Sequence, residues 1–374
     1  MPWFRPRRDT DLQMDYSQFP DPVFAETVLC PQFDGSRKHY APHIATVNKA
    51  YLLMLSSTGI VAPGEVAELA RALAELDLEI DPDALRYTGE YDDFVHMVDE
   101  ELGARVGSGL ASALRIGRAR ADLDHTVFRM ELRTRLDALI TMALHLASQL
   151  MDKARLERAT LIVTYSHGQP AQPSTFGHYL AAAVEMLLRD IDRLLAARAD
   201  VDHCPLGAGA MSGTSFDIDR AMLAELLGFE QPMLNTYGAI AAVDYITAVY
   251  SAVKLMVLNL GRVAQDLLFW SAFEVGQLYV PNSLVRVSRT LTQKRDPVSL
   301  EHLRQLASQT CGRCADAVQH LGAAAQEAPA VPMQAALLLA TAVLLLDQAS
   351  KWAVLLQGTQ PRHILEVTGF FNLV

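Results

Sequence analysis

Residues 165–180, YSHGQPAQPSTFGHYL, hold two histidines, two Gln-Pro pairs and a Phe-Gly ahead of an apolar pattern. Gly168, Pro170 and Pro173 break regular structure as far as Pro173. From Phe176 onward the apolar residues fall at helical spacing. A polar, rigid turn therefore opens a long helix. Its amides and imidazole stand where a helix N-terminus favours negative charge, which suits an anionic small molecule. His167 has the residue type of a general acid or base. The plainer alternative for it is a satisfied structural histidine.

Three further stretches have the residue types of a binding site. LRIGRARADLD, residues 114–124, places Arg115, Arg118 and Arg120 beside Asp122 where a long helical pattern begins. Guanidinium forks match carboxylates, so the run reads as carboxylate recognition or, more plainly, as a solvated basic turn. PLGAGAMSGTSFDIDRAMLAELLGF, residues 205–229, builds a tight loop from small residues, with Asp217 or Asp219 able to cap the next helix. VSRTLTQKRDPVSLEHLR, residues 287–304, sets Lys294 and Arg295 ahead of Pro297, which suits a helix start, with Glu301 one turn inside. A polar loop carrying a lysine can close over an anion.

Long helices must carry these loops. Residues 1–40 are rich in proline and aspartate and read as irregular. Two helices are expected over 44–78, broken at Pro63 and Gly64, and another over 93–106. Long patterns follow over residues 121–159, 174–199, 240–272 and from Pro297 to 325, with β-branched alternation confined to short pieces such as 161–164. The expected fold class is all-α, a long-helix bundle. The apolar positions exceed what one bundle interior can hold, so helices shared between subunits are expected.

Hydrophobic residues make up 51% of the 374 and charged residues 20%, ample for a buried core. A net charge of −11 speaks against a nucleic-acid partner. Cys311 and Cys314 form a single CxxC with no second half, short of the four ligands of a zinc site, so no metal is expected. Residues 1–19 lack the apolar core of a secretory signal, and a cytoplasmic location is expected. Residues 333–374 are an apolar tail whose unbroken run is shorter than the roughly 20 residues of a bilayer span. Lys351 and Trp352 suit an interface, which makes the tail a candidate for membrane contact.

Together the chemical stretches resemble the argininosuccinate lyase branch of the fumarase/aspartase superfamily. The branch's THxQxAQPxTFxHY pattern resembles Ser166 through Tyr179. Its PLGAGAxxGTxFxIDRxxxAxLLGF matches residues 205–229, and GSSIMPQKRNPxxLE aligns without gaps to Val287 through Glu301. The resemblance covers residues 40–325. It implies a fumarase/aspartase-type helical fold and a homotetramer whose sites draw on three subunits. It implies no cofactor. The reaction implied is a β-elimination that cleaves the C–N bond of a small-molecule N-succinyl compound. The products are fumarate and an amine, which is arginine if the substrate is argininosuccinate. A lyase for another N-succinyl compound and a lyase-fold scaffold without turnover are the rivals.

On this resemblance Ser288 takes the α-proton, His167 paired with Glu301 handles the proton at the leaving nitrogen, and Lys294 holds a carboxylate. Arg118, Arg120, Ser166, Gln169, Gln293 and Arg289 are the implied substrate-binding residues. The departures are specific. The family's GRSRND is Gly117 through Asp122 here, with Ala119 for its serine and Ala121 for its asparagine. The loop has Arg289 for a serine, Thr292 for a proline and Asp296 for an asparagine. Two lost hydrogen bonds to charged groups, at about 1.5–3 kcal/mol each, imply about 10²–10⁴-fold weaker succinyl binding. Asp296 adds a charge unfavourable to a dianion, and Arg289 offers a guanidinium in compensation.

The tail carries a second resemblance. LLLDQASKWAVLL followed by ILEVTGFFNLV is similar to the first membrane helix and next strand of bacterial lipoprotein signal peptidase. That implies a segment without the family's two catalytic aspartates, hence no working peptidase, joined by a gene fusion, a frameshift or a misjoined gene model. The expected domains are an N-terminal helical domain at 1–118, a central long-helix bundle at 119–332 and the apolar tail at 333–374.

Overall fold

The structure, a computed structural model, describes residues 20–321. The membrane contact and peptidase resemblance expected of residues 333–374 lie outside the described residues. The chain is mostly helical, as the residue pattern predicts, and falls into two compact units. Among the described residues, one unit covers 20–117 and 215–219, and the other 118–214 and 220–321.

The first unit begins earlier than expected. Asp21 accepts the N–H groups of Val23 and Phe24 and so caps α1 (Pro22–Phe24). A π-helical turn, Ala25–Leu29, leads into α2 (Cys30–His39). Residues 22–39 are therefore helical rather than irregular. Pro22 and Pro31 sit within the first two positions of α1 and α2, where a missing N–H removes little. The unit continues with α3 (Ala41–Ser57), α4 (Pro63–Glu79), α5 (Phe94–Val106) and α6 (Ser108–Ala113). Phe33, Tyr51, Leu55, Leu69 and Phe94 are buried at its core, with Phe33 edge-on to Phe94 at 5.9 Å.

The second unit starts with α7 (Arg120–Leu156), then the antiparallel hairpin β1 (Leu161–Ser166) and β2 (Gln169–Thr175), then α8 (Phe176–Val201). The hairpin takes the place of the rigid, irregular turn expected up to Pro173. Pro173 pairs with Val163 and Pro170 with Tyr165. A two-stranded sheet leaves each strand one free edge, so a proline can point its missing N–H outward. Next come β3 (His203–Cys204), α9 (Arg220–Leu226), β4 (Gln231–Pro232) parallel to β3, and α10 (Thr236–Ala241). The unit ends with α11 (Asp244–Ser271), β5 (Arg286–Val287), β6 (Arg295–Asp296) and α12 (Val298–Leu321).

Contacts between helix ends fix the directions. Arg129, early in α7, donates to the carbonyls of Asp200 at 2.9 Å and Val201 at 3.2 Å, at the close of α8. The buried guanidinium also lies 3.6 Å over the Tyr245 ring. The helix C-terminus carries partial negative charge and meets this cation without a carboxylate. At the opposite end Tyr179, early in α8, donates to Asp266 at 3.0 Å and meets Trp270 edge-on at 4.5 Å, both late in α11. Arg304, early in α12, donates to Gln265 at 3.3 Å. Thus α7 and α11 both run antiparallel to α8, and α12 antiparallel to α11. Among the described residues α11 is the one helix long and apolar enough to cross a membrane; its Val249, Tyr250, Val253 and Met256 are buried in the core.

Gly177, at the start of α8, sits close against the end of α7. A Cβ there would stand 2.8 Å from Arg158 Cα and closer still to the Ala154 carbonyl oxygen. Gly177→Ala is expected to destabilise the protein by about 1–3 kcal/mol through this clash. The check is a lowered urea midpoint at unchanged slope. Gly312→Ala, with nothing within 4 Å of its added Cβ, should show no loss. An unchanged midpoint in Gly177→Ala would mean that α7 and α8 are not this close.

Candidate functional site

His167 and Gly168 are the central residues of the β1–β2 turn, with Ser166 opposite Gln169. Both have positive φ, 53° and 75°, as a primed hairpin turn requires. His167 is the one non-glycine residue with positive φ among the described residues, and histidine adopts that conformation more readily than most types. The turn presents its imidazole to solvent, with Nδ1 2.9 Å from Ser166 Oγ. Gln277 holds the hairpin from outside. Its side-chain amide accepts the Val163 N–H at 2.5 Å and donates to the Val163 carbonyl at 3.0 Å. Tyr165 adds an edge-on contact to Phe269 at 5.0 Å.

The second group of residues sits beyond α11. There β5 and β6 pair antiparallel, Val287 opposite Arg295 and Arg286 opposite Asp296, and so close a loop over 288–294. Ser288 Oγ accepts the N–H of Thr290 at 3.3 Å and of Leu291 at 3.1 Å. Such donors would stabilise negative charge on that oxygen. Arg295 stacks 4.5 Å over the Tyr279 ring and donates to Tyr279 Oη at 2.9 Å and to the Val280 carbonyl at 2.8 Å. Lys294 Nζ pairs with the Asp296 carboxylate at 3.1 Å. Arg289 is exposed. Gln293 and Lys294, with Phe273, Tyr279 and Leu291, line a cavity of about 630 Å³, the size of a small-molecule pocket. Glu301 is exposed in the first turn of α12.

Hairpin and loop stand at one end of the α8–α11–α12 set, because the start of α8, the end of α11 and the start of α12 meet there. No hydrogen bond or ion pair joins His167 to Ser288, Lys294 or Glu301 among the described residues. Arg118 and Arg120 stand at the other end, where α7 begins beside the close of α8. Arg120 pairs with Asp124 at 2.7 Å. The 26 residues of α8, at about 1.5 Å each, put roughly 39 Å between the two groups. A single chain therefore does not gather the predicted site residues in one place.

Asp122 organises the second end, a role beyond the sequence expectations. Its Oδ1 accepts the Ala119 N–H at 3.0 Å, and its Oδ2 accepts those of Gly207 and Gly209 at 3.0 Å each. Gly207 and Gly209 have φ of 83° and 63°, a left-handed backbone that glycine adopts readily. An acidic residue three positions after a helix cap is a readable signal; the bonds to the distant loop are not. Among the described residues no cluster of His, Cys, Asp and Glu could hold a metal ion.

Burial lifts the Asp122 pKa to about 6, opposed by its backbone hydrogen bonds and the nearby Arg118 charge. The folded-state value lies above the ordinary 3.8, so the carboxyl favours the folded state most at low pH and loses that contribution as pH rises to about 6. Between pH ~4 and ~6 the wild type is expected to lose roughly 3 kcal/mol relative to Asp122→Asn. The difference should be flat above that window. Urea unfolding of both proteins across this range checks it, and a constant difference would contradict the raised value.

Known proteins resemble this chain in sequence and fold. A family model described as lyase matches residues 41–312. Argininosuccinate lyase 2 of Agrobacterium fabrum (strain C58 / ATCC 33970) is 52% identical over 301 residues, which is 80% of this chain and 60% of that protein. Argininosuccinate lyase 1 of Shouchella clausii (strain KSM-K16) is 31% identical over 293 residues, 78% of this chain and 59% of that protein. The crystal structure of an EDDS lyase in complex with formate superposes with a TM-score of 0.76 at 27% identity, covering 91% of this chain and 67% of its own. The chain spans about three fifths of the length of the curated relatives it matches. The family match takes in both ends of the bundle, from Arg118 to Glu301, and the chain belongs to this lyase family, within the fumarase/aspartase superfamily.

Proposed function

We propose that the chain is a C–N lyase of the argininosuccinate lyase type that eliminates an amine from an N-succinyl compound and leaves fumarate. The observation that carries this is Ser288, whose Oγ faces two backbone N–H donors in a hairpin loop that also bears Lys294. A serine oxygen so placed can hold the negative charge of a proton acceptor. Ser288 takes the α-proton, the electron pair forms the C=C bond of fumarate, and the C–N bond breaks. His167, oriented by Glu301, gives a proton to the departing nitrogen. Lys294, Arg289, Gln293, Ser166, Gln169, Arg118 and Arg120 hold the substrate's carboxylates. The argininosuccinate lyases reported above support argininosuccinate as substrate, and the EDDS lyase supports a related N-succinyl compound. No cofactor takes part.

The separation of the two residue groups supports a homotetramer. A second copy running antiparallel would set the Arg118 end of one bundle against the Ser288 end of another. Leu144, Leu188, Leu195, Leu255 and Leu258, exposed on α7, α8 and α11, offer apolar surface for that contact. The four cysteines are free thiols, which suits a reducing cytoplasm. The domain division at 1–118 and 119–332 belongs to the same proposal.

Purified chain is expected to sediment as a tetramer and to release fumarate from argininosuccinate or another N-succinyl amine. Ser288→Ala should lower kcat by about 10²-fold or more with little change in KM. Mixing Ser288→Ala with Arg118→Ala chains should recover activity that neither variant has alone, since hybrid sites regain an intact residue from each copy. A monomer that turns over no N-succinyl amine would remove the proposal.

A further inference from the structure

The loop closed by β5 and β6 distributes its charges unevenly. Lys294 and Asp296 lie two positions apart on the β6 side of the loop and so share a face, while Arg295 points to the other. Arg295 is oriented by Tyr279 and the Val280 carbonyl, neutral partners that leave its charge uncompensated, and it lines the same cavity. Lys294 is paired with Asp296. At the loop tip, 288–294, Arg289 is left as the one cation without a partner among the described residues.

The exposure of the pair decides what it does. The Lys294 side chain is 55% exposed and that of Asp296 14%. A half-exposed pair of this kind contributes little to stability. Its effect on a ligand is larger, because Lys294 lines the 630 Å³ cavity and Asp296 keeps a negative charge 3.1 Å from the ammonium. An approaching carboxylate meets a neutralised lysine and a like charge beside it.

We infer that Asp296 is a specificity-determining residue: by pairing with Lys294 it weakens the loop's hold on one of the substrate's two carboxylates, so that Arg289 and Arg295, which have no carboxylate partner, carry more of that binding. The inference rests on the lyase function proposed above. Lys294 remains a substrate-binding group, with its contribution set by Asp296.

Fumarate and crotonate separate the effects, since crotonate replaces one fumarate carboxylate with a methyl group. Calorimetric titration of the tetramer is expected to show Asp296→Asn binding fumarate roughly tenfold more tightly than wild type, with crotonate changed less than about twofold. Adding Lys294→Ala to Asp296→Asn should erase the gain. Acylation of Lys294 by acetic anhydride, followed by peptide mass spectrometry, should quicken several-fold in Asp296→Asn, a readout that needs no ligand. Equal fumarate affinity in wild type and Asp296→Asn, or a gain that survives Lys294→Ala, overturns the inference and leaves the lyase function standing. Fumarate saturating no variant while Lys294 acylation still quickens overturns the lyase function, and the specificity role with it.

Discussion

A straight helix cannot bring its own ends together, and that constraint governs this molecule. The arginines at the start of α7 and the Ser288 loop beyond α11 are held roughly 39 Å apart by α8, which runs unbroken from Phe176 to Val201. Any chemistry that uses both groups must draw on more than one copy of the chain. On the function proposed here, activity would depend on protein concentration as well as on folding, because association would supply part of the site. The long helices are rulers as much as scaffolds.

Polar side chains at the helix ends lock those rulers in place. Asp122 ties the start of α7 to the glycine loop, and Arg129 ties it to the close of α8. Arg133, one turn further, bonds Asp202 at 3.0 Å and the Leu227 carbonyl at 2.9 Å. Each matches a buried or half-buried charge to backbone groups that the helix or loop would otherwise leave unsatisfied. The neighbouring His125 follows the opposite course. Burial and the charge of Arg129 lower its pKa to about 4, so it stays neutral at physiological pH.

The long helices could be read from the residues because apolar spacing and proline stops are local signals. Pro297 precedes α12 as the pattern implied, whereas Pro63 and Gly64, read as the break, open α4, and Asp93, read as the first helical residue, caps α5. The hairpin could not be read, since prolines usually speak against strands and its free edges appear only once the partner strand is known. Helix formation from Pro22 onward was hidden the same way, by prolines that turn out to sit at helix starts. At the candidate site the residue types were legible, and so was the unusual Asp296. Its pairing with Lys294 was not, because that depends on strand geometry. The bonds from Asp122 to Gly207 and Gly209 span 85 and 87 positions, a separation that no local pattern encodes.

Gln277 has a consequence for solubility. A lone two-stranded hairpin on a protein surface exposes unpaired N–H and C=O groups, which can template pairing with a neighbouring molecule and so start aggregation. The Gln277 amide occupies the N–H and C=O of Val163 at once, as a third strand would. One glutamine thus imitates a missing strand where the hairpin is most apolar, and blunts that edge against unwanted association.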